Sequence, residues 1–254
     1  MATDTAKHAS GGGALVSPLP LRGAPGFAAG FTRGALTARA LDPDIAARAL
    51  VEALGAPDAD TLRLEQVHGA RVLTFDEPAR KRRSVLLGEG DAVVTCQSNV
   101  LLAIASADCV PVVLADPVTG WMAAVHAGWR GTALRVLDAA LDALAFRGVL
   151  PRNLSAAFGP SIARDRYEVG PEVVAALLAA YGAPPEGAVK PGGGGKAFVD
   201  VAAFDEASLL ARGLDPARIH RPGLCNAAAS DLPSWRRDGP GAGRILTGVV
   251  RGGA

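Results

Sequence analysis

Six short aliphatic or β-branched runs follow one another between residues 61 and 125, at 61–67, 71–75, 91–95, 100–106, 110–115 and 122–125. Each is bounded by Gly, Asp or Pro and is too short for a stable helix, so all six read as buried strands. Elsewhere the period changes. Over 132–145, Leu134, Leu137, Leu141 and Leu144 recur at three- and four-residue steps before Gly148 stops the pattern, which marks one face of an amphipathic helix. Val174, Leu177, Leu178 and Tyr181 repeat that spacing over 171–181, and 42–54 and 201–212 are further helix candidates. Strands and helices alternate without a clean linker or an internal repeat. The expectation is an α+β fold: a single-domain mixed β-sheet core layered with outer helices over 26–254. A disordered N-terminal lead at 1–25, rich in small residues, Gly and Pro, precedes it. Four consecutive glycines inside 190–196 read as a flexible loop, because no Gly-Lys-Ser/Thr ending follows to make a phosphate cradle.

Three of the apolar runs end in metal-ligand residue types. His68 lies in Leu64-Glu65-Gln66-Val67-His68-Gly69, Cys109 in Ala105-Ser106-Ala107-Asp108-Cys109-Val110-Pro111, and His126 in Ala123-Ala124-Val125-His126-Ala127-Gly128-Trp129-Arg130-Gly131. The whole chain has only four histidines and three cysteines. Two imidazoles and a thiolate suit zinc, and three protein ligands leave a fourth position open, as a catalytic site requires. Taken singly, each residue has an ordinary reading as well. A cysteine among valines is commonly a small buried hydrophobe, and a histidine a hydrogen-bonded core residue. The separations fit no local finger or knuckle pattern, so the residues alone leave both readings open.

Charge excludes some partners. The balance of 26 basic to 25 acidic residues leaves no electrostatic footprint for nucleic acid or an anionic membrane. No stretch reaches the roughly 18 consecutive apolar residues of a membrane span, and the start lacks the basic and apolar segments of a signal peptide. Three cysteines, an odd number, argue against a disulfide framework. A reducing cytoplasm is the expected location. Nothing here sets an oligomeric state or a role for Cys96 and Cys225 beyond packing.

Longer motifs appear in order along the chain. They are Gln66-Val67-His68-Gly69, Gly90-Asp91-Ala92-Val93-Val94-Thr95, Ser106-Ala107-Asp108-Cys109-Val110-Pro111 and His126-Ala127-Gly128-Trp129-Arg130-Gly131. Phe158-Gly159-Pro160-Ser161-Ile162, Tyr167-Glu168-Val169-Gly170, Cys225, Trp235-Arg236-Arg237-Asp238-Gly239 and Gly243-Arg244 follow. Over roughly residues 26 to 250 the chain resembles the YfiH family, variously called polyphenol oxidoreductase (laccase), peptidoglycan editing factor and purine nucleoside phosphorylase. The resemblance implies one zinc held by His68, Cys109 and His126, in a single domain with sheets layered between helices. It departs from the family after Thr32-Arg33-Gly34, where the usual Gly-Gly pair and Asn-Leu segment are not recognisable. Asn226 also follows Cys225 where Thr is usual, and Arg166 precedes Tyr167 where Cys is common.

Around the three ligands several residues are candidates for chemistry. Asp108 is placed to orient a ligand or move a proton, or to cap the backbone of Val110 in a turn. Arg130, at a helix start, suits phosphate or a surface salt bridge. Gln66 suits a substrate heterocycle or an outer hydrogen bond to the zinc site. Arg33, in a Phe-Thr-Arg segment like the family's, is a second candidate for phosphate or ribose. Arg236, with Arg237 and Asp238, either closes the site or forms a surface ion-pair cluster.

The resemblance implies a zinc-dependent enzyme whose partners are purine nucleosides and phosphate. It would phosphorolyse adenosine, inosine, guanosine and methylthioadenosine to base and ribose 1-phosphate, and deaminate adenosine. Two alternatives stand beside it: an amidase-type peptidoglycan-editing hydrolase with Cys109 as nucleophile and His126 as base, and a non-catalytic binding protein. The laccase reading is rejected. Beyond His68 and His126 only His8 and His220 remain, too few for a blue site plus a trinuclear copper cluster. Copper enters only as an adventitious metal at the zinc site.

Overall fold

The central strands are apolar on both faces, and both faces are covered. The computed structural model describes residues 15–37, 42–78, 80 and 83–252. Along the first half run β1 (Val16–Pro18), β2 (Phe27–Thr32), α1 (Pro43–Ala53), β3 (Asp60–Glu65), β4 (Val72–Thr74), β5 (Ser84–Glu89), β6 (Ala92–Thr95), β7 (Val100–Ser106), β8 (Val110–Ala115) and β9 (Met122–Ala127). The second half adds α2 (Trp129–Ala133), α3 (Val136–Phe146), β10 (Ser155–Phe158), β11 (Glu168–Val169), α4 (Pro171–Tyr181), β12 (Val189–Pro191), β13 (Ala197–Val199), α5 (Val201–Ala211), β14 (Ile219–His220), α6 (Trp235–Asp238) and β15 (Ile245–Arg251).

Two six-stranded mixed sheets carry the fold, in the orders β1-β2-β15-β7-β3-β5 and β14-β10-β8-β9-β6-β4, beside a three-stranded sheet β11-β13-β12. β3 runs parallel to β5 and β7, β4 to β6, and β10 to β14. The two large sheets face each other: Leu62, Leu102, Ile104 and Val249 of the first pack with Val93, Val113, Met122 and Ala124 of the second. Side-chain alternation sends the intervening residues to the outer faces. On one, Leu101, Ala103 and Leu246 meet Ala47, Leu50 and Val51 of α1. On the other, Val112, Leu114 and Phe158 meet Leu137 of α3, Leu177 of α4 and Phe204 of α5. The result is a single domain of four layers (helix, sheet, sheet, helices), the mixed-sheet α+β arrangement expected. A strand covered on both faces has no polar side to alternate with, so β7 and β8 read as continuous apolar runs. Among the described residues no helix is long and apolar enough to cross a membrane.

Several local expectations change. The helix expected over 132–145 is two helices, α2 and α3, because Arg135 between them is left-handed at φ +64, and a right-handed helix does not continue through such a residue. Leu134 is 60% exposed rather than part of the buried stripe, while Leu137, Leu141 and Leu144 are buried. Residues 15–25, expected within a disordered lead, are instead part of the fold, since β1 pairs with β2 and both Leu19 and Ala24 are buried; the rest of that lead, residues 1–14, lies outside the described residues. The glycines at 192–195 form the turn of the β12–β13 hairpin. Strands β2 and β15 have a weak sequence signal because each contains a glycine at a crowded point. A Cβ on Gly248 would lie 2.7 Å from the Leu102 carbonyl oxygen, and one on Gly30 2.8 Å from that of Ser17.

Candidate metal centre

The two sheets end together at one edge, and the three donors come from three of those ends. β9 runs past the expected 122–125 to Ala127, so His126 is itself a strand residue. The β8–β9 register sets Pro111 opposite His126, which brings Cys109, just before β8, to the same edge. His68 follows β3 of the other sheet and is left-handed at φ +60. The donor atoms of His68, Cys109 and His126 all lie within 4.8 Å of one another. Their imidazoles meet edge to face with centroids 4.9 Å apart. His126 is buried, Cys109 half-buried and His68 exposed, so the cluster has one open side. These three side chains form a site able to hold a metal ion.

A buried carboxylate organises the cluster. Asp91 Oδ1 lies 2.8 Å from His126 Nδ1 and accepts the His68 backbone N–H at 2.9 Å; Oδ2 accepts that of Gly69 at 2.6 Å. One side chain thus orients the imidazole of one donor and pins the left-handed loop that carries another. Burial raises the Asp91 carboxyl, but the His126 side chain and the Gly69 and His68 amides more than offset it and leave it below its ordinary value. Burial lowers His126, yet the bonds to Asp91 and Cys109 bring it to about 9. Burial also pushes the Cys109 thiol up, while His126 and His68 draw it down to about 7. The cluster therefore favours thiolate, as a metal ligand or nucleophile must be. Asp91 stood in a quoted motif, but no local signal distinguishes it from a strand-capping acid.

The other sequence candidates fall into two groups. Gln66 donates its amide to the Ala105 carbonyl at 2.8 Å and accepts the Ala105 N–H at 2.9 Å. That makes it a side-chain extension of the β3–β7 ladder. Arg33 Nε pairs with Asp231 at 2.7 Å, and its other contact is Ser17 Oγ at 3.3 Å, so its charge is already partnered. Asp108, left-handed at φ +86, accepts Asn226 Nδ2 at 2.9 Å and the Arg236 N–H at 2.6 Å. Its carboxylate fastens the C-terminal segment beside Cys109 instead of standing free as a proton carrier or capping Val110. Arg237 and Asp238 pair with each other at 2.6 Å.

Arg130 and Arg236 remain at the mouth. The Arg130 guanidinium lies 4.3 Å from the Trp129 ring centroid, and no carboxylate among the described residues pairs with it. Arg236 Nη1 donates to the Glu168 carbonyl at 2.8 Å, and its guanidinium lies 5.0 Å from the Tyr167 ring centroid. Tyr167 was not singled out from sequence. It lines a recess of about 40 Å³ with Asp108, Cys109, Gly128, Trp129 and Ile162. Burial, then the nearby Cys109, pushes its hydroxyl up to about 12, so it is a neutral donor at the mouth.

Fold and site together define a two-sheet, four-layer protein with a His-Cys-His candidate metal centre at the sheet edge. A family model described as multi-copper polyphenol oxidoreductase laccase matches residues 45–252, and the chain belongs to this family, the YfiH family of the motifs above. It is 36% identical over 203 residues to a protein named adenosine deaminase RL5 from an unknown prokaryotic organism, covering 78% of each chain. It is 37% identical over 203 residues to a purine nucleoside phosphorylase from Deinococcus radiodurans, covering 77% of this chain and 72% of the relative. The crystal structure of YlmD from Geobacillus stearothermophilus matches with a TM-score of 0.79 at 27% identity, over 91% of this chain and 94% of that one.

Proposed function

We propose that this chain is a zinc-dependent purine nucleoside enzyme. It splits adenosine, inosine and guanosine with phosphate to the free base and ribose 1-phosphate, splits methylthioadenosine to adenine and methylthioribose 1-phosphate, and deaminates adenosine. The observation that carries this reading is the convergence of His68, Cys109 and His126 within 4.8 Å, in a chain related to proteins bearing those two activities in their names. Two imidazoles and a thiol drawn toward thiolate are a zinc donor set, and Asp91 on His126 Nδ1 leaves Nε2 for the ion. Zinc held by these three residues would supply Lewis-acid chemistry.

The chain's own residues do the rest. Arg130, without a carboxylate partner among the described residues, holds the phosphate dianion through charge-assisted hydrogen bonds. Tyr167, protonated at neutral pH, donates to substrate at the mouth. Arg236 and Asp108 hold the C-terminal segment against Cys109 and so shape the entrance. The deciding experiment incubates metal-analysed protein with adenosine, with and without phosphate, and follows products by chromatography. Adenine with ribose 1-phosphate, appearing only with phosphate and at one zinc per chain, is the expected result, with inosine formed in both conditions. No product from a zinc-loaded protein overturns the reading.

One observation favours a second reading. A thiol brought to about 7 beside an imidazole raised to about 9 is also a thiolate nucleophile with a proton donor beside it, which suits an amidase-type hydrolase. Zinc stoichiometry separates the two, because a coordinated thiolate is not free to attack.

A further inference from the structure

A cleft of about 490 Å³ lies apart from the recess at the donors. It opens on the outer face of the first sheet, beside α1, and Ala103 and Ala105 form part of its floor. Its walls include Trp235, which is 50% exposed, with the Arg244 guanidinium 5.8 Å from the Trp235 ring centroid. Arg63 lines it as well; its Nη2 pairs with Asp44 Oδ1 at 2.9 Å, and its Nε is buried without a hydrogen-bond partner among the described residues. Two short chain links lead from the cleft toward the metal centre. Gln66, on its rim, is two residues from His68, and Arg236, next to Trp235, is bonded to Asp108, which precedes Cys109.

A cleft of this size with an apolar floor and one half-exposed indole is shaped for a flat ring. Its polar side chains are one-sided. Arg63, Arg244 and the Trp235 indole carry donors only, and the one acceptor among them, Gln66 Oε1, already receives the Ala105 N–H. Arg244 has no carboxylate partner among the described residues; its Nη1 donates to the carbonyls of Ala242 and Gly243. A donor-only wall complements a ring edge that presents two adjacent acceptors. O6 and N7 of a 6-oxopurine form such an edge, whereas a 6-aminopurine sets an N–H donor against the guanidinium.

We infer that this cleft is the base-binding pocket of the enzyme, with Trp235 as the stacking face and Arg244 as the residue that selects 6-oxopurines over 6-aminopurines. The inference rests on the purine nucleoside reading above and adds a ranking of its substrates, with inosine and guanosine ahead of adenosine.

The test titrates the zinc-loaded protein with the free bases hypoxanthine and adenine, which undergo no phosphorolysis, by calorimetry and tryptophan fluorescence. Hypoxanthine should bind at least about tenfold more tightly than adenine, the weight of one bidentate contact, and should quench the indole emission. Trp235→Ala should weaken both bases and remove the quench. Arg244→Gln, which offers an acceptor beside a donor, should bring the ratio to one or below, a gain for adenine that misfolding does not produce. An unchanged ratio in Arg244→Gln, or unchanged binding in Trp235→Ala, overturns the pocket. Nucleoside turnover by the wild-type protein, assayed in parallel, keeps the two claims apart. Turnover with base binding indifferent to both substitutions removes the pocket and leaves the proposed function. Base binding that responds as expected, without turnover, does the reverse. A wild-type protein that neither binds a base nor turns over a nucleoside removes both.

Discussion

Gly128 leaves no room for a side chain: a Cβ there would lie 2.8 Å from Cys109 Sγ and 3.2 Å from His68 Cδ2. Gly128→Ala therefore has to move two donors, and zinc retention measured against a chelator should fall. Asp91→Asn keeps the shape but removes the charge that holds His126 and the His68 loop. The loss of such an outer hydrogen bond typically costs about 10- to 100-fold in metal affinity, and the same chelator competition reads it. Cys109→Ala should lose zinc and both activities, and full activity with stoichiometric zinc in that variant would refute the ligand assignment. Arg130→Ala should keep its zinc and need a higher phosphate concentration for half-maximal rate. At this scale the donors were legible because histidine and cysteine are rare in the chain and sit in ordered motifs. Asp91 and Gly128 were not, because what each does is defined by contact with a residue on another strand.

The ladder between β3 and β7 pairs backbone to backbone at Asp60↔Val100, Thr61↔Leu101 and Leu62↔Leu102. Further along, Gln66 satisfies both the N–H and the C=O of Ala105, so a side chain continues what the backbone began. Gln66→Leu strands two part-buried polar groups, and each such group costs about 1–3 kcal/mol. The urea midpoint should fall accordingly, with the m-value unchanged; a shift within experimental error would show that water replaces the amide without loss. Most strands and helices were legible as periods of two or 3.6. The break at Arg135 was not, because its left-handed backbone coincides with a contact elsewhere: its guanidinium lies 4.0 Å from the ring centroid of Tyr181 in α4. Local periodicity carries no trace of such partners.

Across the whole molecule, the helical layer behind the second sheet contains an acid with few partners. Asp205 of α5 is fully buried, accepts the Thr132 hydroxyl of α2 at 3.2 Å, and has no partner for Oδ1 among the described residues. Burial, the leading cause, raises its carboxyl well above the ordinary value of 3.8. The folded protein therefore prefers the neutral acid, while the unfolded chain ionises it near 3.8. This group's contribution to stability is complete below that pH and is lost as pH rises toward its folded value. Asp205→Asn should accordingly be more stable than wild type at pH 8, with the difference closing toward pH 4 in urea denaturation. A difference independent of pH would show that Asp205 is ionised in the folded protein.

The sequence by itself determined the class of fold, most of its strands and helices, and which three residues are candidates to hold a metal. These depend on short periods and on rare residue types in ordered motifs. Only the tertiary structure decided that Asp91 joins His126 to the His68 loop, and that Gln66, Arg33 and Asp108 are committed to the protein itself. Among the described residues, the same packing leaves Arg130 without a carboxylate partner. The physical reason is range: secondary structure follows from neighbours a few residues away, whereas a charged or polar side chain takes its role from whatever the fold sets against it. For Arg33 that partner is Asp231, 198 residues along the chain.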